Sequence, residues 1–266
     1  MLIIGEKINS SRKNIQEMVE EKNEKFIREL AQRQVESGAQ MLDLNVGTIR
    51  KNEPENMRWL VKVVQEAVDV PLCIDSANQE AIRYGLEIYD QGRGKALINS
   101  VTAEKGRVEA ILPLIKKYKC LVVALTMNEQ GIPQDAESRF KIARELIKKI
   151  TGEGIPEEDI YIDALVLPVS ANIQNSNIVL ESLKRIKDSF PAIKTILGLS
   201  NISYGLPERK LVNQGFVVLA MACGIDAAIL DSTDQKIMAL IKATSLLLGK
   251  DEFCRQYLKA FREGKL

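Results

Sequence analysis

The side chains best suited to chemistry in this chain are aspartates and asparagines. They recur at one kind of place, directly after a short apolar run. In order, with their polar neighbours, they are Glu6 and Asn9, Asp43 and Asn45, Asp75 and Ser76, Asn99 and Ser100, Thr126 and Asn128, Asp163, Ser200 and Asn201, and Asp231 and Ser232. A carboxylate accepts two parallel hydrogen bonds and a carboxamide both gives and accepts them, so this set suits a neutral ligand carrying donors and acceptors side by side. The 266 residues include no histidine. That excludes Ser-His-Asp and Cys-His nucleophile activation, histidine zinc sites and an imidazole acid or base. Any reaction must use carboxylates, amides, hydroxyls, the backbone or a cofactor.

Charge is balanced, 37 Lys+Arg against 36 Asp+Glu, which argues against nucleic-acid or membrane-surface binding driven by a field over the whole protein. Cys73, Cys120, Cys223 and Cys254 are widely spaced and form no C-x-x-C pair, so we expect reduced, buried thiols and no metal cluster. The opening MLIIGEKINS lacks a signal-peptide pattern, and no apolar run approaches the roughly 18 residues of a membrane span. A cytoplasmic protein is expected.

The elements that must position these side chains follow from periodicity. Short β-type runs fall at 2–5, 41–45, 72–75, 96–99, 121–126, 160–163, 195–199 and 227–231. Segments with apolar residues at i, i+3 and i+4 lie between them, at 26–39, 56–68, 79–89, 108–118, 138–150, 178–190, 216–224 and 235–249, and residues 252–266 read as one more helix. Eight strand–helix units of about 33 residues each match the ~250-residue norm of a (β/α)8 barrel. The chain has neither G-x-G-x-x-G nor G-x-x-x-x-G-K-[ST], which weakens the competing open doubly wound sheet. Even spacing without a linker predicts one domain over 1–266, an α/β single TIM barrel with an extra C-terminal helix.

A barrel carries its chemistry on the rim where its strands end, which is where the Asp and Asn residues fall. Some of them, within 75–78 and 231–234, suit helix N-caps instead. The rim has no lysine at a strand end except Lys7, which argues against a Schiff-base aldolase. Glu6, Asp43, Asp75, Asp163 and Asp231 could ligate a divalent metal, which leaves a metal-dependent lyase or isomerase as an alternative. A carboxylate facing an exocyclic amine beside a ring N–H, with amides alongside, instead predicts a pterin-like ring.

At these same residues the sequence resembles the pterin-binding (β/α)8 methyltransferases that use methyltetrahydrofolate and a corrinoid protein. The matching segments are GEKIN, LDLNVG, CIDSAN, INSVTAE, LTMNEQGIP, YIDALVLP, LGLSNIS and MACGIDAAI, nearly the full length of the chain. The resemblance implies methyl transfer between N5 of tetrahydrofolate and the cobalt of a separate corrinoid protein, as in one-carbon or O-demethylation metabolism, by a homodimer without a resident metal. It assigns Asp75, Asn99 and Asp163 to the pterin ring and Asn201 to catalysis at N5. Asn9, Asp43, Asn45, Ser200 and Tyr204 take supporting places. Dihydropteroate synthase shares the fold, but its Ser-x-Arg after strand eight has no counterpart in Asp231-Ser232-Thr233-Asp234. The segment 202–207 departs from the corrinoid/iron–sulfur branch, with Tyr204 where that branch has a polar amide side chain. A non-catalytic pterin-binding module is the alternative from outside enzymology.

Overall fold

A computed structural model describes residues 1–49 and 51–266 of the chain. Eight parallel strands close on themselves in sequence order: β1 (Leu2–Asn9), β2 (Met41–Asn45), β3 (Leu72–Asp75), β4 (Leu97–Thr102), β5 (Leu121–Leu125), β6 (Ile160–Asp163), β7 (Lys194–Gly198) and β8 (Ala227–Leu230). The connecting helices are α1 (Lys13–Glu20), α2 (Glu24–Glu36), α3 (Glu53–Gln65), α4 (Gln79–Ile88), α5 (Arg107–Tyr118), α6 (Ala136–Gly152), α7 (Asn175–Ser189), α8 (Arg209–Ala222) and α9 (Gln235–Leu247). The extra terminal helix is α10 (Arg255–Arg262). No helix among the described residues is long and apolar enough to cross a membrane.

Two faces of each strand explain the layering, because successive side chains on a strand point to opposite sides. Outward residues such as Leu42, Leu44, Ile74, Ile98, Val122 and Ile162 pack against the helices as the main core. Inward residues form a separate plug, with Ile4, Met41, Cys73, Leu97, Val123, Tyr161, Ile196 and Ala227 each contributed by a different strand. The barrel is therefore filled, and a ligand can enter only above or below the plug.

Three expectations need correction. Helix α1 escaped the periodicity reading because only one side of it is apolar, Ile15, Met18 and Val19, over eight residues. Helix α8 begins seven residues earlier than expected, since its polar first turns face the mouth of the barrel rather than the core. Cys73 and Cys120 are buried thiols, whereas Cys223 and Cys254 are only partly covered.

Candidate active site

Advancing two residues along each strand from the plug gives Glu6, Asp43, Asp75, Asn99, Leu125, Asp163, Gly198 and Ile229, and all eight line one cavity of about 830 Å³. The strand period of two thus places the next inward layer at the floor of the mouth. The floor is polar along β1 to β4 and at β6, and apolar or bare at β5, β7 and β8. A flat ring standing on it would meet hydrogen-bonding groups at one edge and Leu125 and Ile229 elsewhere.

Asp75 ends β3 beside Asn45 of β2 and Asn99 of β4. Asn45 does not line the cavity; its Nδ2 donates to Asp75 Oδ2 over 2.8 Å and aims the carboxylate. Burial pushes the Asp75 carboxyl up to about 6, the Asn45 bond pulls it down, and the charge of Glu53 raises it. The expected N-cap of α4 falls on Asn78, which accepts from the Glu80 N–H, so Asp75 is not spent on capping. Asp43 lies one layer-mate away and is 2% exposed. Desolvation and then the nearby charge of Asp75 hold its carboxyl well above the usual carboxylate range, and its Oδ1 has no hydrogen-bond partner among the described residues. Burial and the charge of Asp75 together favour the neutral form of the deeper Asp43.

Asp163 is fixed from the other side. Its Oδ1 accepts from the Leu165 N–H over 2.7 Å. Leu165 holds a left-handed backbone with φ 61°, and its carbonyl and that of Ala164 each accept from Arg139 Nη1 at 2.7 Å. Arg139 is completely buried and also donates from Nε to the Pro133 carbonyl, so it locks the loop that follows β6. Burial raises the Asp163 carboxyl to about 7 against the lowering effects of the Leu165 bond and the Arg139 charge.

Asn201 sits in a 3₁₀ turn, Leu199–Ser203, that caps β7. Its side chain is exposed and makes no hydrogen bond with the protein among the described residues. Gly198 leaves it room: a Cβ there would stand 3.1 Å from Asn201 Nδ2. Ser200 anchors the turn through its carbonyl, which accepts from Arg209 Nη2 at 2.7 Å and from the Ser203 hydroxyl. Tyr204 is 67% exposed at the mouth, with Arg209 over its ring at 5.8 Å. Asn9 lines the cavity and turns its Oδ1 toward the Ser11 N–H.

The strand ends carry no lysine but Lys7, yet the cavity is not poor in cations. Arg12, Arg209 and Lys210 all line the cavity. They come from the loop after β1 and the first turn of α8, not from strand ends, and so the strand-end pattern did not reveal them. Arg12 binds Glu6 at 2.6 Å and Lys7 binds Asp231 at 3.1 Å. Burial works against the ionised Asp231, but bonds from Thr233 and Lys7 outweigh it and leave this carboxyl below its ordinary value. Among the described residues no three His, Cys, Asp or Glu side chains converge as a metal ion would require. Of the acidic set considered as metal ligands, Glu6 and Asp231 are instead engaged by Arg12 and Lys7.

A closed barrel with a carboxylate–amide floor defines a protein that holds a polar heterocycle at the C-terminal ends of its strands. The chain belongs to the pterin binding enzyme family, whose model matches residues 6–231. It is 37% identical over 268 residues to the methylcorrinoid:tetrahydrofolate methyltransferase of Eubacterium limosum, covering 100% of this chain and 98% of that protein. It is 31% identical to the methionine synthase of Mycobacterium tuberculosis over 88% of this chain and 20% of that much longer protein. Among solved structures, dihydropteroate synthases share the fold: one from Xanthomonas albilineans superposes with TM-score 0.67 at 19% identity over 92% of this chain and 93% of its own. One from Yersinia pestis gives 0.64 at 17% identity over 92% and 94%.

Proposed function

We propose that the chain is a methyltransferase that moves a methyl group between N5 of tetrahydrofolate and the cobalt of a separate corrinoid protein. The direction we infer is from methylcorrinoid to tetrahydrofolate. The observation that carries this reading is the floor built one layer above the plug, where Asp75, Asn99 and Asp163 face the same cavity and Asn201 stands free at its edge. Residues 1–266 act as one unit.

In this reading Asp163 and Asp75 are ionised when the ligand binds and accept from the amine and ring N–H of the pterin, while Asn99 satisfies a further polar atom. Leu125 and Ile229 cover the apolar face. Asn201 is the catalytic residue: its amide follows N5 as that nitrogen changes charge, and a bond strengthened in the transition state lowers the barrier by up to roughly 3–4 kcal/mol. Asn45, Asp43, Ser200, Asn9 and Tyr204 support these groups. The cobalt supplies the nucleophile or the methyl group from the partner protein, and the barrel holds the pterin at an open mouth where that partner can dock.

We further propose a cytoplasmic homodimer. Four free cysteines suit a reducing compartment. Leu219 on α8 and Leu247 on the neighbouring α9 are large apolar side chains left exposed, which supports their being covered by a second copy. Sedimentation of the purified protein tests the latter. The main test mixes the protein with methyltetrahydrofolate and Co(I) cobalamin, and separately with methylcobalamin and tetrahydrofolate, following the cobalt spectrum. Methyl exchange in either direction is expected; silence in both would overturn the reading and favour a binding module.

A further inference from the structure

The opposite end of the barrel carries a second cavity, about 760 Å³, between the N-terminal ends of β1 and β2 and the helices α9 and α10. Its floor is apolar, with Ile3, Met238, Ile241 and Ala260 all at least nine-tenths buried. Its walls are cationic, from Lys242, Lys250, Arg255, Lys259 and Lys265.

Three carboxylates on the same walls, Glu36, Asp251 and Glu263, offset these five cations only in part. Glu263 is shared, lying 2.8 Å from Lys265 and 3.8 Å from Lys259. Asp251 is spent on the backbone, accepting from the Gln256 and Tyr257 N–H groups at 2.9 Å each and so closing the start of α10. Glu36, also on the wall, makes no ion pair among the described residues. Lys242, Lys250 and Arg255 likewise have no carboxylate within ion-pairing distance among the described residues. Burial, then the like charge of Lys265, pushes the Lys242 ammonium below its ordinary value, with Glu263 opposing. Five cations over an apolar floor, against three carboxylates, leave an excess of positive charge that an anion relaxes.

We infer that this cavity binds a small polyanion joined to an apolar or aromatic body, the chemistry of a nucleoside di- or triphosphate. The phosphates lie among Lys242, Lys250 and Arg255, and the body lies on Ile3, Met238 and Ile241. The volume falls within the roughly 300–1,000 Å³ of small-molecule sites. Nothing in this inference depends on the chemistry at the other end of the barrel.

Calorimetry with ADP, inorganic pyrophosphate, adenosine and citrate tests it. ADP should bind more tightly than pyrophosphate, adenosine alone should not bind, and raising salt should weaken ADP steeply, because several cations share the anion. Lys242→Gln, at a half-buried position, and Arg255→Gln, at an exposed one, should each weaken ADP by about tenfold, the loss of one charge-assisted contact. Citrate binding as tightly as ADP would reduce the site to generic anion attraction and overturn the proposal. So would absence of ADP binding at millimolar concentration, or unchanged affinity in both variants.

Discussion

The two ends of this barrel hold cavities of similar size, about 830 Å³ at the mouth and about 760 Å³ below the plug, and they are built in opposite ways. The floor of the mouth is made by short side chains standing on the strands themselves. Asp43 and Asp163 are 2% and 8% exposed, and their carboxyls are raised by burial. The walls of the lower cavity are made by long cationic side chains on α9, α10 and the segments that follow them, mostly in contact with water. Short groups on a rigid sheet give direction and selectivity at a cost in stability, because they are desolvated before any ligand arrives. Long solvated cations cost the fold little and attract by charge with little directional selectivity.

This contrast can be broken by experiment. The largest effect should come from Asp163→Ala, which removes paired hydrogen bonds to a carboxylate: methyltetrahydrofolate affinity should fall about 100-fold, with a smaller change in the rate at saturation. Asp163→Asn should have nearly as large an effect on the ligand-free fold, in the favourable direction. A carboxyl held at about 7 in the folded chain, against 3.8 ordinarily, binds its proton more tightly folded than unfolded. Its penalty is absent below pH 3.8, grows as the pH rises to about 7, and is complete above. At pH 8 the Asn variant should therefore be the more stable of the two, and melting curves at pH 8 and pH 5 should show the advantage shrinking at the lower pH.

Asn201→Ala should slow methyl transfer by roughly tenfold or more while altering affinity much less. Equal losses of rate and affinity in the Asn201 and Asp163 variants would erase the division of roles. The pH dependence of binding is the next effect in size. Since the ionised carboxylates accept the ligand, affinity should fall by about tenfold between pH 8 and pH 6 as Asp163 and then Asp75 take up protons, and Asp163→Ala should flatten most of that fall. At the other end, Lys242→Gln should change methyl transfer by less than about twofold. A larger change there would show that the two ends are coupled through the plug.

Much of the mouth was legible in the residue order because strand geometry is local. A run such as Leu72 to Asp75 has only one way to alternate, so an inward Cys73 in the plug requires an inward Asp75 at the floor. The same alternation predicts Asn99 from Leu97 and Asp163 from Tyr161. Groups that reach the site from elsewhere were not legible. Arg12, Arg209 and Lys210 line the mouth from a loop and a helix start, and Arg139 on α6 fixes the loop behind Asp163. Asn45, expected as a supporting rim residue, lies outside the cavity lining and donates to Asp75 instead.

The sequence by itself determined the closed parallel barrel, the absence of imidazole chemistry and the set of Asp and Asn side chains available at the rim. These depend on alternation, helical period and composition, all of which act over a few residues. Tertiary structure alone decided which of those carboxyls are desolvated, which are tied to Arg12 or Lys7, and where α10 closes a cationic cavity beneath the barrel. Those outcomes depend on distances between residues far apart in the chain, and charge and solvation respond to such distances rather than to sequence spacing.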